Sequence, residues 1–216
     1  MSASFTFIGE THQYVEDGIV RPSVTQILND CGLVCYNGIP EEILQRKADI
    51  GTAAHVATWY SDEGDLDWNS VDDAVAPYVL AWIKFRKETG FVPRINEHRG
   101  IGEIGGVRYG YTFDAEGVLF GWDSLLEKKC TAAVEPSWGP QCAAYEHALF
   151  KTDGKRRRRV AVHLKPNCNY SLVPLPEVQD YQIFRTALLR PRGWEQVIEN
   201  WLALKGKNNG NRNHHI

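Results

Sequence analysis

Residues 113–130 read FDAEGVLFGWDSLLEKKC. Strand-like runs lie on both sides of Phe120-Gly121, and the glycine supplies the turn between them. Folding the chain symmetrically about that turn sets Asp114 opposite Glu127, with β-carbons roughly 5 Å apart on one sheet face. Lys129 follows Glu127 by two residues, so strand periodicity places it on the same face. Two bare carboxylates so placed repel each other. A divalent cation reverses that sign, and hard oxygen ligands at this separation suit Mg²⁺ or Mn²⁺. Such a cation beside an ammonium group is a chemically sensible phosphodiester-cleaving arrangement. The plain alternative is an exposed hairpin carrying a cross-strand ion pair.

Working outward, the runs VPRINEHRGIGEI and VRYGYTFDAEGVLF precede SLLEKKCT, with Gly105-Gly106 and Gly121 as punctuation. Residues 92–130 therefore read as a three-strand antiparallel meander. Before it, FTFIG and HQYVEDGIV read as short strands turning at Asp17-Gly18, and Ser23 suits the N-cap of a short helix closed by Gly32. The loop Asn37-Gly38-Ile39-Pro40 leads to a helical stretch through residue 64, in which Gly51 marks a junction or a close contact. VDDAVAPYVLAWIKFRKETG is an amphipathic helix, with Pro77 fixing a local start or kink and Gly90 ending it. After the meander come a helix from Pro140 to Phe150, the strands RVAVHLKP and NYSLVPL, and a largely helical segment from Glu177 to Leu204. This order specifies an α/β fold with a mixed central sheet flanked by helices. One domain spans residues 1–205, and the polar tail 206–216 is expected to be disordered.

The chain has 216 residues, 43% hydrophobic and 24% charged, with a net charge of −3. That supports one well-buried domain. No apolar run approaches the roughly 20 residues of a membrane span, and the N-terminus lacks the pattern of a signal peptide, so a cytoplasmic location and no membrane partner are expected. The cysteines Cys31, Cys35, Cys130, Cys142 and Cys168 are odd in number and irregular in spacing, as reduced thiols would be. The acidic balance is unusual for a nucleic-acid binder, although the run Lys155 to Arg159 is locally basic.

The string 113–130 resembles the metal-binding hairpin of the PD-(D/E)XK nuclease superfamily. Asp114 matches its first acidic position, Glu127 its second and Lys129 its lysine. Three further stretches resemble the RecB-like branch, which includes phage and prophage exonucleases: GTAAH at 51–55, QCAAY at 141–145 and RPSVTQIL at 21–28. The resemblance runs over roughly residues 20–190. It implies a restriction-endonuclease-like αβββαβ core and an Mg²⁺- or Mn²⁺-dependent deoxyribonuclease. Asp114, Glu127 and Lys129 would then be catalytic, with His55 and the Lys128 backbone carbonyl as additional metal ligands. Gln141 and Tyr145, one helical turn apart, would face the site or the DNA strand. No iron–sulfur cluster is expected, because only Cys168 follows the core helix.

Some candidates remain open from sequence. Glu97 is either a further metal ligand or a solvated strand carboxylate. Tyr109 and Tyr111 either line a substrate channel or pack in the core. Arg156, Arg157 and Arg158 either contact DNA or form a solvated loop. The expected activity is an exonuclease of phage-type recombination or DNA processing. A structure-specific endonuclease and a catalytically silent DNA-binding module are the alternatives. DNA is the expected partner, with a recombination or annealing protein and an oligomer as further possibilities, in a host cytoplasm if the chain is phage-encoded.

Overall fold

The computed structural model describes residues 4–34 and 40–211. Cys35 and the Asn37-Gly38-Ile39 turn lie outside the described residues, as do positions 212–216 of the tail. Three short strands open the chain: β1 (Phe5–Ile8), β2 (Gln13–Glu16) and β3 (Ile19–Arg21), paired in that order. Asp17 and Gly18 turn β2 into β3 with φ of 48° and 77°, both left-handed as a tight hairpin of this twist requires. Helix α1 (Val24–Asp30) begins with a capping box: Gln26 N donates to Ser23 Oγ and Ser23 N donates to Gln26 Oε1.

Helix α2 (Glu41–Glu63) ends at Gly64 with φ 77°. It passes through Gly51 without interruption, and nothing lies within 4 Å of where a β-carbon would be. Gly51 is therefore neither the junction nor the close contact expected from sequence. Helix α3 (Ala76–Thr89) takes Pro77 into its first turn, where the missing N–H is no loss, and stops at Gly90.

The meander follows as β4 (Pro93–Ile104), β5 (Val107–Leu119) and β6 (Trp122–Lys129). Helix α4 (Trp138–Asp153) then crosses to β7 (Arg158–Leu164), parallel to β6, and β8 (Tyr170–Pro174) pairs antiparallel with β7. The resulting five-strand mixed sheet runs β4-β5-β6-β7-β8. Helices α5 (Gln179–Leu189) and α6 (Trp194–Asn211) complete the chain. Helix α6 continues past Leu204 into the stretch expected to be irregular; Gly206 weakens a helix without ending it.

One face of the sheet packs Tyr109, Tyr111, Phe113 and Leu125 against α1, α4, α5 and α6. The other packs Ala115, Leu119, Leu126 and the even-numbered core residues of β7 against α3, with α2 beyond. Tyr109 and Tyr111 are thus core residues and not channel walls. The small N-terminal sheet lies against β5 at Gly110, where a β-carbon would come within 2.1 Å of the Tyr14 ring. Cys31 and Cys142 are buried and Cys130 and Cys168 half-buried, all as free thiols. Among the described residues no helix is long and apolar enough to cross a membrane.

Because Gly51 sits in open space inside a helix, Gly51→Ala should stabilise the protein by about 1 kcal/mol. For a chain of this size that is a rise of about 2–4 °C in melting midpoint. A thermal melt showing no rise would mean that the helix opens at Gly51 in solution.

Candidate active site

Strands β5 and β6 turn through Phe120 and Gly121, whose φ values are 50° and 80°. The register is the one read from sequence: Leu119 faces Trp122, and the pairs continue to Ala115 opposite Leu126. The main-chain pairing stops there, one step before Asp114 and Glu127. In its place the Asp114 side chain reaches across, and Lys128 N donates to Asp114 Oδ2 at 2.6 Å. The hairpin thus opens into a fork at the two carboxylates.

The opening is part of a larger irregularity. Tyr109, Tyr111 and Phe113 belong to the core layer on one face, while Ala115 and Leu119 belong to the other. A regular strand would keep all five odd-numbered residues on one face, so β5 changes face at Asp114. On β4 the pairing steps from Asn96–Ala115 to His98–Phe113. Between them Glu97 takes φ 51°, a left-handed conformation uncommon for this residue.

Around the fork the side chains form one connected cluster. Helix α2 supplies His55, whose Nδ1 lies 2.7 Å from Asp114 Oδ1. With the carboxylate as acceptor Nδ1 carries the hydrogen, which in a neutral ring leaves the lone pair on Nε2. Lys129 Nζ donates to Glu127 Oε1 at 3.2 Å and to Gln141 Oε1 at 2.7 Å. Gln141 Nε2 in turn donates to Glu127 Oε1 at 3.1 Å and to Tyr145 OH at 2.7 Å. Gln141 and Tyr145 therefore point into the cluster, as their helical spacing allows. They hold its acid and base there, and Tyr145 itself is buried.

The electrostatics follow from burial. Burial pushes the Glu127 carboxyl up to about 7, and the nearby Asp114 charge adds to the rise, only partly offset by Lys129. Burial would also raise Asp114, but His55 and then Lys128 outweigh it and hold that carboxyl well below its ordinary value. Burial would lower Lys129, but Glu127, Cys142 and Asp114 together outweigh it, so the ammonium stays protonated. Glu127 Oε2 is buried with no hydrogen-bond partner. An orphaned carboxylate oxygen beside a second carboxylate is an arrangement that a hard divalent cation satisfies and that the protein alone leaves unfavourable. Asp114 and Glu127 thus fit such an ion, with His55 in contact with the first of them. Among the described residues no three His, Cys, Asp or Glu side chains already converge as a metal-holding group. These side chains pair off instead, His55 with Asp114 and Lys129 with Glu127.

The remaining candidates separate. Glu97 is taken up by an ion pair with Arg99 at the edge of the cluster. Arg157 is buried, with Nε donating to Glu116 Oε2 at 2.8 Å and NH2 donating to Asp153 Oδ2 at 2.5 Å. It is a core ion-pair residue and does not present its guanidinium to DNA. Arg156 and Arg158 are exposed; Arg156 reaches Glu146 and Arg158 stacks on Trp122.

Several residues near the cluster escaped the sequence reading. The Lys128 side chain leaves the fork on the opposite face from Glu127 and Lys129. There its Nζ donates to Thr58 Oγ1 at 2.9 Å and lies 4.8 Å from the centre of the Trp82 ring. The doublet Lys128-Lys129 combined with strand alternation could have signalled two cations on two faces. Tyr14 and His12 of the N-terminal sheet border the site with Arg99, whose guanidinium lies 4.5 Å over the Phe7 ring. Tyr14 OH is 2.6 Å from Thr112 Oγ1. No local pattern in those short strands announces this contact.

No family model matches the chain, and no curated protein matches it. Among solved structures it is similar to a protein from Eubacterium rectale described as a "Putative exonuclease". The TM-score is 0.49 at 9% identity, covering 70% of this chain and 68% of that one.

Two outcomes follow from these charges. Arg157→Ala should cost about 3 kcal/mol, the low end for breaking a buried pair, because Glu116 loses its buried partner and keeps only the half-exposed Arg94. Arg156→Ala, at an exposed site, should cost under about 1 kcal/mol. Equal losses in denaturant titrations would contradict the assignment of Arg157 to the core. For Glu127 the folded value lies above that of the unfolded chain, so the native state binds the extra proton. In metal-free protein its charge therefore destabilises the fold progressively as pH rises from about 4.5, the ordinary value for a glutamate, to about 7. Glu127→Gln should raise the melting midpoint of metal-free protein above pH 7, with the gain fading towards pH 4.5. A loss of stability at every pH would instead mark Glu127 as an ordinary ion-pair partner.

Proposed function

We propose that this chain is a divalent-metal-dependent deoxyribonuclease of the PD-(D/E)XK type, which hydrolyses DNA phosphodiester bonds as an exonuclease in phage-type recombination or DNA processing. The observation that carries the reading is the buried, partnerless Glu127 Oε2 beside the Asp114 carboxylate, with a protonated lysine on the other Glu127 oxygen. A purely structural ion pair has no reason to place a second buried carboxylate there. The motif order of the sequence supports the same reading.

In this mechanism Asp114 and Glu127 would hold the cation, with the Lys128 carbonyl and, once its ring has turned from the Asp114 contact, His55 as additional ligands. A bound Mg²⁺ or Mn²⁺ supplies Lewis-acid polarisation of the phosphate and lowers the pKa of a coordinated water. Lys129 stays cationic and so acts by charge, stabilising the negative charge that builds on the attacked phosphate; it is not the general base. Gln141 accepts from Lys129 and donates to Glu127, which fixes the spacing between ammonium and carboxylate. Tyr145, hydrogen-bonded to Gln141, fixes the amide in turn. His55 orients Asp114 from the helix side, and the Lys128 N–H holds the other Asp114 oxygen. These contacts pre-position the charges, so little reorganisation is needed when substrate arrives.

Lys129→Ala should lower turnover on DNA by about 10²–10³-fold, the scale of losing one preorganised charge-stabilising donor. Calorimetry should show Mn²⁺ uptake largely retained. Asp114→Asn should lose both Mn²⁺ affinity and activity. With Mn²⁺, wild-type protein should digest linear DNA and leave closed circles intact. Cleavage of circles would replace the exonuclease by an endonuclease, and binding without cleavage in any metal would leave a silent DNA-binding module.

A further inference from the structure

A groove of about 980 Å³ lies away from the carboxylate cluster, between α4, the starts of β6 and β7, β8 and the entry to α5. In the parallel pair Ser124 faces Arg158 at the groove end, and Lys129 faces His163 at the other. Five residue steps along the strand separate the two ends, about 16 Å. The groove floor is apolar and includes Leu119, Phe150, Leu172, Leu175 and Tyr181. Phe120 and Val178 stand on its border 65% and 83% exposed.

The rim has a definite sign. Lys151, Arg156 and Arg158 line it, and Glu146, paired with Arg156, is the acidic residue that lines it with them. Lys151 and Arg158 have no carboxylate partner among the described residues. Arg158 stacks on Trp122 at 3.7 Å, which holds the guanidinium in place without neutralising it. Arg157 and Arg159 also line the groove, but acids answer both: Glu116 and Asp153 for the first, Asp180 for the second. Surplus positive charge is thus collected around an apolar floor in a chain whose net charge is −3.

We propose that this groove is a docking site for an acidic peptide segment of a partner protein, carrying bulky apolar side chains next to its carboxylates. The carboxylates answer Lys151 and Arg158, and the apolar side chains fill the floor. Nucleic acid fits less well, because a phosphate backbone matches the rim and leaves the apolar floor uncovered. The volume stands at the upper end of the roughly 300–1,000 Å³ typical of enclosed ligand sites, which suits a short segment and not the face of a folded domain. The proposal is independent of the nuclease reading, since peptide binding needs neither metal nor turnover.

The test uses the full chain and a fluorescein-labelled peptide with a run of aspartates followed by leucine and phenylalanine, read by fluorescence anisotropy. Binding should weaken with added salt and fall at least about tenfold when asparagine replaces the aspartates, a difference of about 1.4 kcal/mol. Val178→Glu should also weaken it at least about tenfold. Val178 caps the start of α5 and is exposed, so a carboxylate there suits the helix terminus and the variant should melt like wild type. Lys151→Glu should weaken the peptide several-fold by a different route, and it carries the test should Val178→Glu melt early. Equal binding of the aspartate and asparagine peptides, or unchanged binding in the folded variants, overturns the proposal. So does a result in which single-stranded oligonucleotide affinity drops in both variants while peptide binding does not.

Discussion

Two carboxylates buried side by side are the least comfortable feature of this protein, and the surrounding structure is arranged to make them tolerable. Helix α2 brings His55 to Asp114, β6 brings the Lys128 N–H to the same residue, and Lys129 with Gln141 of α4 meets Glu127. Even so Glu127 remains raised by burial and by its neighbour, with one oxygen unanswered. Apolar residues in place of the carboxylates together with Lys129 and His55 would stabilise this region as well or better, since buried charge gains little against well-packed hydrophobic side chains.

What could be read from sequence was whatever depends on local rules. The tight turn at Phe120-Gly121 fixes the hairpin register as far as Ala115 opposite Leu126, which brings Asp114 and Glu127 to the same level without pairing them. The Ser23 capping box and the left-handed glycines at 64, 90 and 154 end or begin helices where their chemistry requires. The face change of β5 at Asp114 was not legible, because it needs β4 and β6 to depart from regularity at the same level. Strand period two, applied without that knowledge, predicts a flat hairpin where the protein has a fork. The N-terminal sheet shows the same limit: its strands are readable, but its seat on Gly110 depends on a contact between residues 96 positions apart.

The basic run illustrates a different failure. Five consecutive cations look like one patch when read as composition. On a strand and its lead-in they alternate, and each meets a different neighbour. Arg157 turns inward to Glu116 and Asp153, and Arg159 turns to Asp180, while Arg156 and Arg158 face out and rest on Phe150 and Trp122. Applying strand alternation to the run would have separated the structural arginines from the exposed ones. Asp153, four residues before Arg157, was within local reach, but the buried partners Glu116 of β5 and Asp180 of α5 lie too far along the chain to be seen.

The connection from β6 through α4 to β7 explains why the charges gather where they do. A parallel crossover returns the chain to the start of the next strand, so the helix begins beside the carboxyl end of β6. Gln141, in the first turn of α4, touches Glu127 near that end. The amino end of a helix carries partial positive charge, which favours the anionic form of carboxylates placed against it. That first turn is itself tightly seated: a β-carbon on Gly139 would come within 2.5 Å of Asp180 Oδ1. Glycine at 139 lets α4 approach α5, and that approach fixes where its amino terminus points. A residue with no role in chemistry thereby sets how far Gln141 and the helix terminus stand from the acidic pair.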